Sequence, residues 1–162
     1  MRSVYIETSV WAMAGPNQSP VLQHPTLDFL AQCAGRVHLP YISDIVTKEL
    51  RRAPADIQEI VLAKLIEVNP LQLPIPPTID TLAQRFVKEG VLSPRRLDDA
   101  RHVACAIVNH VDLLVSWNYR HIANARKAEA FNAIAVLCGF SGKIEIHTPL
   151  EALEWKKPWT NS

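Results

Sequence analysis

The sequence has no surplus of either charge: 17 Lys and Arg stand against 16 Asp and Glu, a formal net charge of +1. A nonspecific polybasic nucleic-acid binder carries a clear excess of positive charge, so any nucleic-acid contact made by this chain has to be local. Cysteine is scarce. Cys33, Cys105 and Cys138 are an odd number in apolar surroundings, which argues against a disulfide framework and for reduced thiols. No C-x-x-C pair and no Cys/His ligand spacing occurs, so structural zinc is disfavoured. No apolar run approaches ~18 residues, and the opening MRSVYIETSV is too short an apolar stretch for a signal peptide. The expectation is a cytoplasmic protein with no membrane association. Internal repeats and low-complexity tracts are also missing.

What is present suffices for one core. The 162 residues, 48% apolar and 20% charged, allow one compact domain and are too few for two ordinary ones. That domain is expected over 1–152, followed by a polar tail over 153–162 in which Trp155 and Trp159 offer a partner surface. Short strands are predicted at Ser3 to Ile6, Val37 to Ile42, Leu113 to Ser116 and Ile144 to His147, with NPLQLPIPP as a linker or short edge strand. Helices are predicted from Thr26, from Ser43 or Asp44 to about Glu49, after Pro54, from Thr78 to Gly90, from Ser93-Pro94 through Asn109, and from near His121 to Leu137. Strands alternating with helices imply an α/β fold of three layers, α/β/α, around a mainly parallel central sheet.

In open parallel sheets, ligands sit beyond the carboxyl ends of the strands. Glu7 follows the first strand and Asn118 lies just beyond LLVS. Asp98 and Asp99 fall in the first turns of the long helix, and Glu49 ends the short helix after the second strand. Carboxylates brought close together repel unless a cation lies between them, and hard oxygen donors suit Mg²⁺ or Mn²⁺. Such a cluster points to metal-assisted phosphodiester chemistry. Each position also has an ordinary structural explanation. Asp98 and Asp99 suit a helix N-terminus, Glu49 a solvated helix end and Asn118 a turn. Glu7 is harder to explain that way, because an acid directly after a buried strand requires a partner.

The segments VYIETSVWA, YISDIVTKEL, LDDARHVACA and DLLVSWNYRHIAN, in that order and spacing through to TPLEAL, resemble the PIN domain, the fold of metal-dependent ribonucleases and VapC-type toxins. The likeness is to a subgroup with an S-W-N-x-x-H motif. It implies a metal-dependent endoribonuclease, as the toxin of a toxin-antitoxin pair, with an antitoxin partner and self-association as a homodimer. Helix faces around Leu27 to Leu30 and Ile57 to Leu65 are the candidate dimer surfaces. The resemblance places the acidic positions on Glu7, Glu49, Asp99 and Asn118, with Glu7 and Asp99 as primary metal ligands. Glu49 would serve a second ion or orient water, and Asn118 would lend a neutral oxygen. Thr8 and Ser116 match the family's hydroxyls beside the acids. Two departures stand out. The family's first acid is usually Asp, so the longer Glu7 should handicap the site, and Asn118 replaces a carboxylate.

Arg95, Arg96 and Arg101 surround the two aspartates and are candidate RNA phosphate contacts, as is Arg120. The alternative is a solvated basic face. His121 is read as a cap of the helix that follows and His102 as a packed helix histidine. Trp11 and Trp117 are stacking surfaces or core residues. The competing function is a noncatalytic PIN-like module that binds RNA or protein, motivated by Glu7 and Asn118. A metal-dependent phosphatase is weaker, since no D-x-D motif follows any strand.

Overall fold

The computed structural model describes residues 1–154; Trp155, Trp159 and most of the expected tail lie outside the described residues. Five strands, β1 (Ser3–Ile6), β2 (Leu39–Ile42), β3 (Leu71–Gln72), β4 (Leu113–Val115) and β5 (Glu145–His147), form one parallel sheet in the order β3-β2-β1-β4-β5. Val4, Tyr5 and Ile6 of β1 and all three residues of β4 are fully buried. That continuous apolar pattern is what a strand covered on both faces requires. The helices are α1 (Thr8–Met13), α2 (Pro20–Ala34), α3 (Asp44–Leu50), α4 (Ala55–Val68), α5 (Thr78–Lys88), α6 (Leu97–Val108), α7 (Ala125–Leu137) and α8 (Pro149–Ala152), with a 3₁₀ turn over Pro94–Arg96. No helix among the described residues is long and apolar enough to cross a membrane.

The two helices read most clearly from their periodicity pack on one another. On α5, Ile79, Leu82, Ala83 and Phe86 are buried, and Gly90 ends the helix with φ 78°. On α6 the small residues Ala100, Ala104 and Ala106 let the backbone approach closely. Phe86 meets Phe131 of α7 edge-on, ring centroids 4.9 Å apart. NPLQLPIPP does hold a short edge strand, β3.

Helices α1 and α8 were not expected, β2 starts at Leu39 rather than Val37, and two helix starts differ further. Helix α2 begins at Pro20, not Thr26, and carries Pro25 inside it. Thr26 is buried, and its hydroxyl donates to the Leu22 carbonyl at 2.7 Å instead of capping. Packing of Phe29, Leu30 and Cys33 sustains the helix despite the N–H that Pro25 lacks. Helix α7 begins at Ala125 and is capped by Asn124, whose Oδ1 accepts from the Lys127 N–H at 2.8 Å; His121 is therefore not its cap. The expected dimer faces shift too. Phe29 and Leu30 are core residues, whereas the exposed large apolar residues of α4 are Ile60, Leu62 and Ile66.

Candidate active site

The chain leaves β1 for β2 on one side and returns to β4 on the other, so β1 and β4 flank the switch point of the sheet. Ile6 and Val115 are in register, and the Glu7 N–H donates to the Val115 carbonyl at 3.1 Å. This sets Glu7 and Ser116 side by side as each strand ends. Glu7 is 4% exposed and caps α1. Its Oε2 accepts from the Ser9 N–H at 2.9 Å, the Ser116 hydroxyl at 3.0 Å and the Ser9 hydroxyl. The Ser9 oxygen in turn accepts from the Trp117 N–H, and that of Ser116 from the Asn118 N–H, both at 2.9 Å. The buried carboxylate thus has its partners, among them the hydroxyls of two serines.

Asp99 enters from the first turn of α6. Burial raises its pKa, and the neighbouring Glu7 carboxylate raises it further, against the pull of His102, Arg96 and His121. Asn118 stands between the two walls of the site. Its Oδ1 accepts from the His121 N–H at 3.1 Å, which fixes the amide so that Nδ2 donates to Asp99 Oδ2 at 3.3 Å. As placed here, Asn118 offers an N–H and not a neutral oxygen toward Asp99, because its oxygen is spent on the turn.

Glu49 approaches from the far end of α3 and meets the imidazole Nε2 of His102, a fully buried residue of α6. His102 Nδ1 lies 2.8 Å from the Tyr5 hydroxyl, itself 2.7 Å from Ser43 Oγ. Thr8 Oγ1 is 3.5 Å from Nε2, at the outer limit of a hydrogen bond. Burial lowers the His102 pKa, but the hydrogen bond to Glu49 and the charges of Glu7, Glu49 and Asp99 more than offset this, and the net direction is upward. Burial also drives the Tyr5 pKa well up, so the phenol stays neutral.

The arginines separate. Arg101 is paired with Asp80 at 2.8 Å and Asp98 at 3.2 Å on the outer face of α6. Arg95 and Arg96 are exposed on the 3₁₀ turn. His121, whose pKa is lowered by burial and then by Arg96, Arg120 and Lys127, marks where positive charge gathers beside Asp99. Arg120, Asn124, Arg126 and Lys127 line a cleft of about 460 Å³ together with Glu89, Gly90 and Val91, and the Lys127 ammonium donates to the Val91 carbonyl. Trp11 belongs to the core, its indole N–H donating to the Ile6 carbonyl. Trp117 is half-buried and donates to Thr26 Oγ1 at 2.7 Å.

Among the described residues, no group of three His, Cys, Asp or Glu side chains stands ready to hold a metal ion. The reason is local: Glu49 is turned onto His102, while Glu7 and Asp99 face each other closely enough to interact. Those two carboxylates fit a hard divalent cation, which would relieve their repulsion. Glu49 does not join them in this arrangement. Two contributors, Ser9 and Tyr5, are not singled out in the sequence, and Ser43 reads there only as a helix start, which it is. Ser9 has the nearest thing to a signal, since an acid followed two residues later by a serine fits a capped helix start.

Five parallel strands in this order, with helices on both faces, define a PIN-like α/β/α fold. The fold is similar to a chain of the VapBC2 complex from Rickettsia felis, solved bound to a DNA fragment from its promoter, with a TM-score of 0.55 at 13% identity, covering 90% of this chain and 98% of that one. No protein-family model and no curated protein matches the sequence.

Proposed function

We propose that this chain is a metal-dependent endoribonuclease that hydrolyses RNA phosphodiester bonds, acting as the toxin of a toxin-antitoxin pair. The observation that carries the reading is the meeting of Glu7 and Asp99, delivered by β1 and α6 to the switch point of the sheet, where burial and then the Glu7 carboxylate raise the Asp99 pKa. Glu7 and Asp99 would hold Mg²⁺ or Mn²⁺, which when bound supplies Lewis acidity and lowers the pKa of an attacking water. Ser9 and Ser116 fix the Glu7 carboxylate. Asn118 orients Asp99 by donating to it, and Glu49, held by His102, would orient the attacking water. RNA phosphates would run over Arg96, Arg120 and Lys127 toward Asp99. Arg101, paired with Asp80 and Asp98, lies off that path in a cleft that it lines with Glu49. An antitoxin partner and a homodimer belong to the same proposal, and Ile60, Leu62 and Ile66 of α4 offer exposed apolar side chains for self-association.

The competing reading, a noncatalytic module, rests on Glu49 being engaged by His102 and on the Asn118 amide facing Asp99. Incubating single-stranded RNA with the protein in Mg²⁺, Mn²⁺ or EDTA separates the two. The nuclease cuts with a divalent ion and stops in EDTA, and Asp99→Asn binds RNA without cutting it. Equal RNA binding by wild type and Asp99→Asn, with no cleavage under any ion, would establish the module and refute the nuclease.

A further inference from the structure

We infer that Tyr5 and His102 form, with Ser43, a buried hydrogen-bond relay that positions Glu49 in the site. Both are positioning residues and act on chemistry only through Glu49. The inference rests on the nuclease reading only in giving Glu49 a task; the relay itself rests on geometry.

Four groups from three elements lie in sequence: Ser43 Oγ, Tyr5 Oη at 2.7 Å, His102 Nδ1 at 2.8 Å, and His102 Nε2 against Glu49 Oε1. Ser43, Tyr5 and His102 are fully buried. Counting hydrogens fixes the direction of the final step. An ionised Glu49 only accepts, so Nε2 carries a proton in either charge state of the imidazole. With a neutral ring, Ser43 donates to Tyr5, Tyr5 to Nδ1, and Nε2 to Glu49. Ser43 Oγ meanwhile accepts from the Ile45 N–H at 3.3 Å. Ser43 Oγ and Tyr5 Oη then each donate once and accept once, and both imidazole nitrogens have a partner.

The relay also starts and ends on the same helix. Ser43 is the N-cap of α3 and Glu49 lies in its last turn. Tyr5 on β1 and His102 on α6 therefore bind both ends of α3 to the walls of the switch-point crevice. A helix of 7 residues has little stability of its own, and without such a clamp its end is free to fray. Because Nε2 takes Oε1, the second oxygen of Glu49 is not part of the relay, and Glu49 lines a cleft with Lys48, Arg52, Asp80, Asp98 and Arg101. Outer partners of this kind select which atom of a carboxylate a site receives.

The experiment compares wild type, Glu49→Gln, His102→Leu, His102→Gln, Tyr5→Phe and the double variant His102→Leu/Glu49→Gln, with thermal melting confirming that each is folded. His102→Leu is expected to lower kcat for RNA cleavage roughly 10- to 100-fold with KM within about twofold. His102→Gln, which keeps a donor near the Nε2 position, should recover most of the loss, and Tyr5→Phe should cost about threefold. The deciding result is non-additivity: the double variant should be no slower than Glu49→Gln alone, since His102 has nothing to position once that carboxylate is gone. Additive losses would overturn the relay and leave His102 as a packing residue. A readout independent of activity is the imidazole N–H signal in nitrogen NMR of the metal-free protein. A slowly exchanging Nε2–H in wild type that is lost in Glu49→Ala supports the relay, and its absence in wild type refutes it. If wild type cuts no RNA with either ion, the nuclease reading falls, and the NMR signal alone decides the relay.

Discussion

Asp98 and Asp99 are neighbours in one turn of α6 and face different surroundings. Asp98 is exposed and pairs with Arg101, three residues on. Asp99 is half-buried against Glu7 and Asn118, and the residue three places beyond it, His102, is sealed in the core. The same i, i+3 spacing thus builds a solvated ion pair on the outer face and the wall of a candidate active site on the inner one. Adjacent helical positions point about 100° apart, so a run of two acids does not itself reveal which one faces the site. The packing of α6 decides it.

The sharpest way to break this contrast is to neutralise each acid in turn. Asp99→Asn should lower RNA cleavage at least about 100-fold, near 2.7 kcal/mol of barrier, and weaken Mn²⁺ binding measured by calorimetry. Asp98→Asn should stay within about twofold, since it loses only an exposed pair. Equal losses would mean that the two faces are not functionally distinct.

Glu7→Asp is next. Shortening the side chain withdraws Oε2 from Ser9 and Ser116, so the variant should cut RNA about tenfold more slowly, a change of roughly 1.4 kcal/mol. A faster variant would restore the view that glutamate handicaps the site.

The two faces should also differ in their use of arginine and lysine. Replacing Arg120 and Lys127 by Ala should reduce the salt slope of single-stranded RNA binding by roughly 0.7 for each phosphate that the protein no longer neutralises. Arg101→Ala should leave the slope unchanged and alter stability by less than about 1 kcal/mol.

The smallest effect concerns pH and the metal-free protein. Because the folded state raises the Asp99 pKa, its charge opposes folding at neutral pH. That penalty is fully present above the raised folded-state pKa and disappears as pH falls through it and below the ordinary aspartate value. Asp99→Asn should therefore melt slightly higher than wild type at neutral pH, and the difference should vanish near pH 3 to 4. Asp98→Asn should show no such gain.

Much of the fold was legible because its strongest signals are local. The apolar stripe of α6, the periodicity of α5 with its terminal glycine, and the apolar runs of β1 and β4 each sit within a few residues. The errors arose where two local signals compete. Thr26 looks like a cap, yet its hydroxyl turns back onto Leu22, and both His121 and Asn124 are placed to start α7. At the site, strand ends and helix starts pointed to Glu7 and Asp99. The Glu49 to His102 contact spans 53 residues and the Tyr5 to His102 contact 97. No pattern in the chain announces such pairs, and the orientation of the Asn118 amide depends on a backbone donor supplied by a turn.

Strand β3 has one further consequence. It is an outer strand only 2 residues long, and Pro70 precedes it while Pro74, Pro76 and Pro77 follow. Prolines have no amide hydrogen to offer an incoming strand, so this rim of the sheet is a poor template for edge-to-edge growth. Copies of the chain are thereby steered away from pairing along β3 and toward meeting through side chains on their helices. Association should then leave the strand content of each copy unchanged, and crowded or partly unfolded preparations are protected along this rim from stacking into continuous sheets.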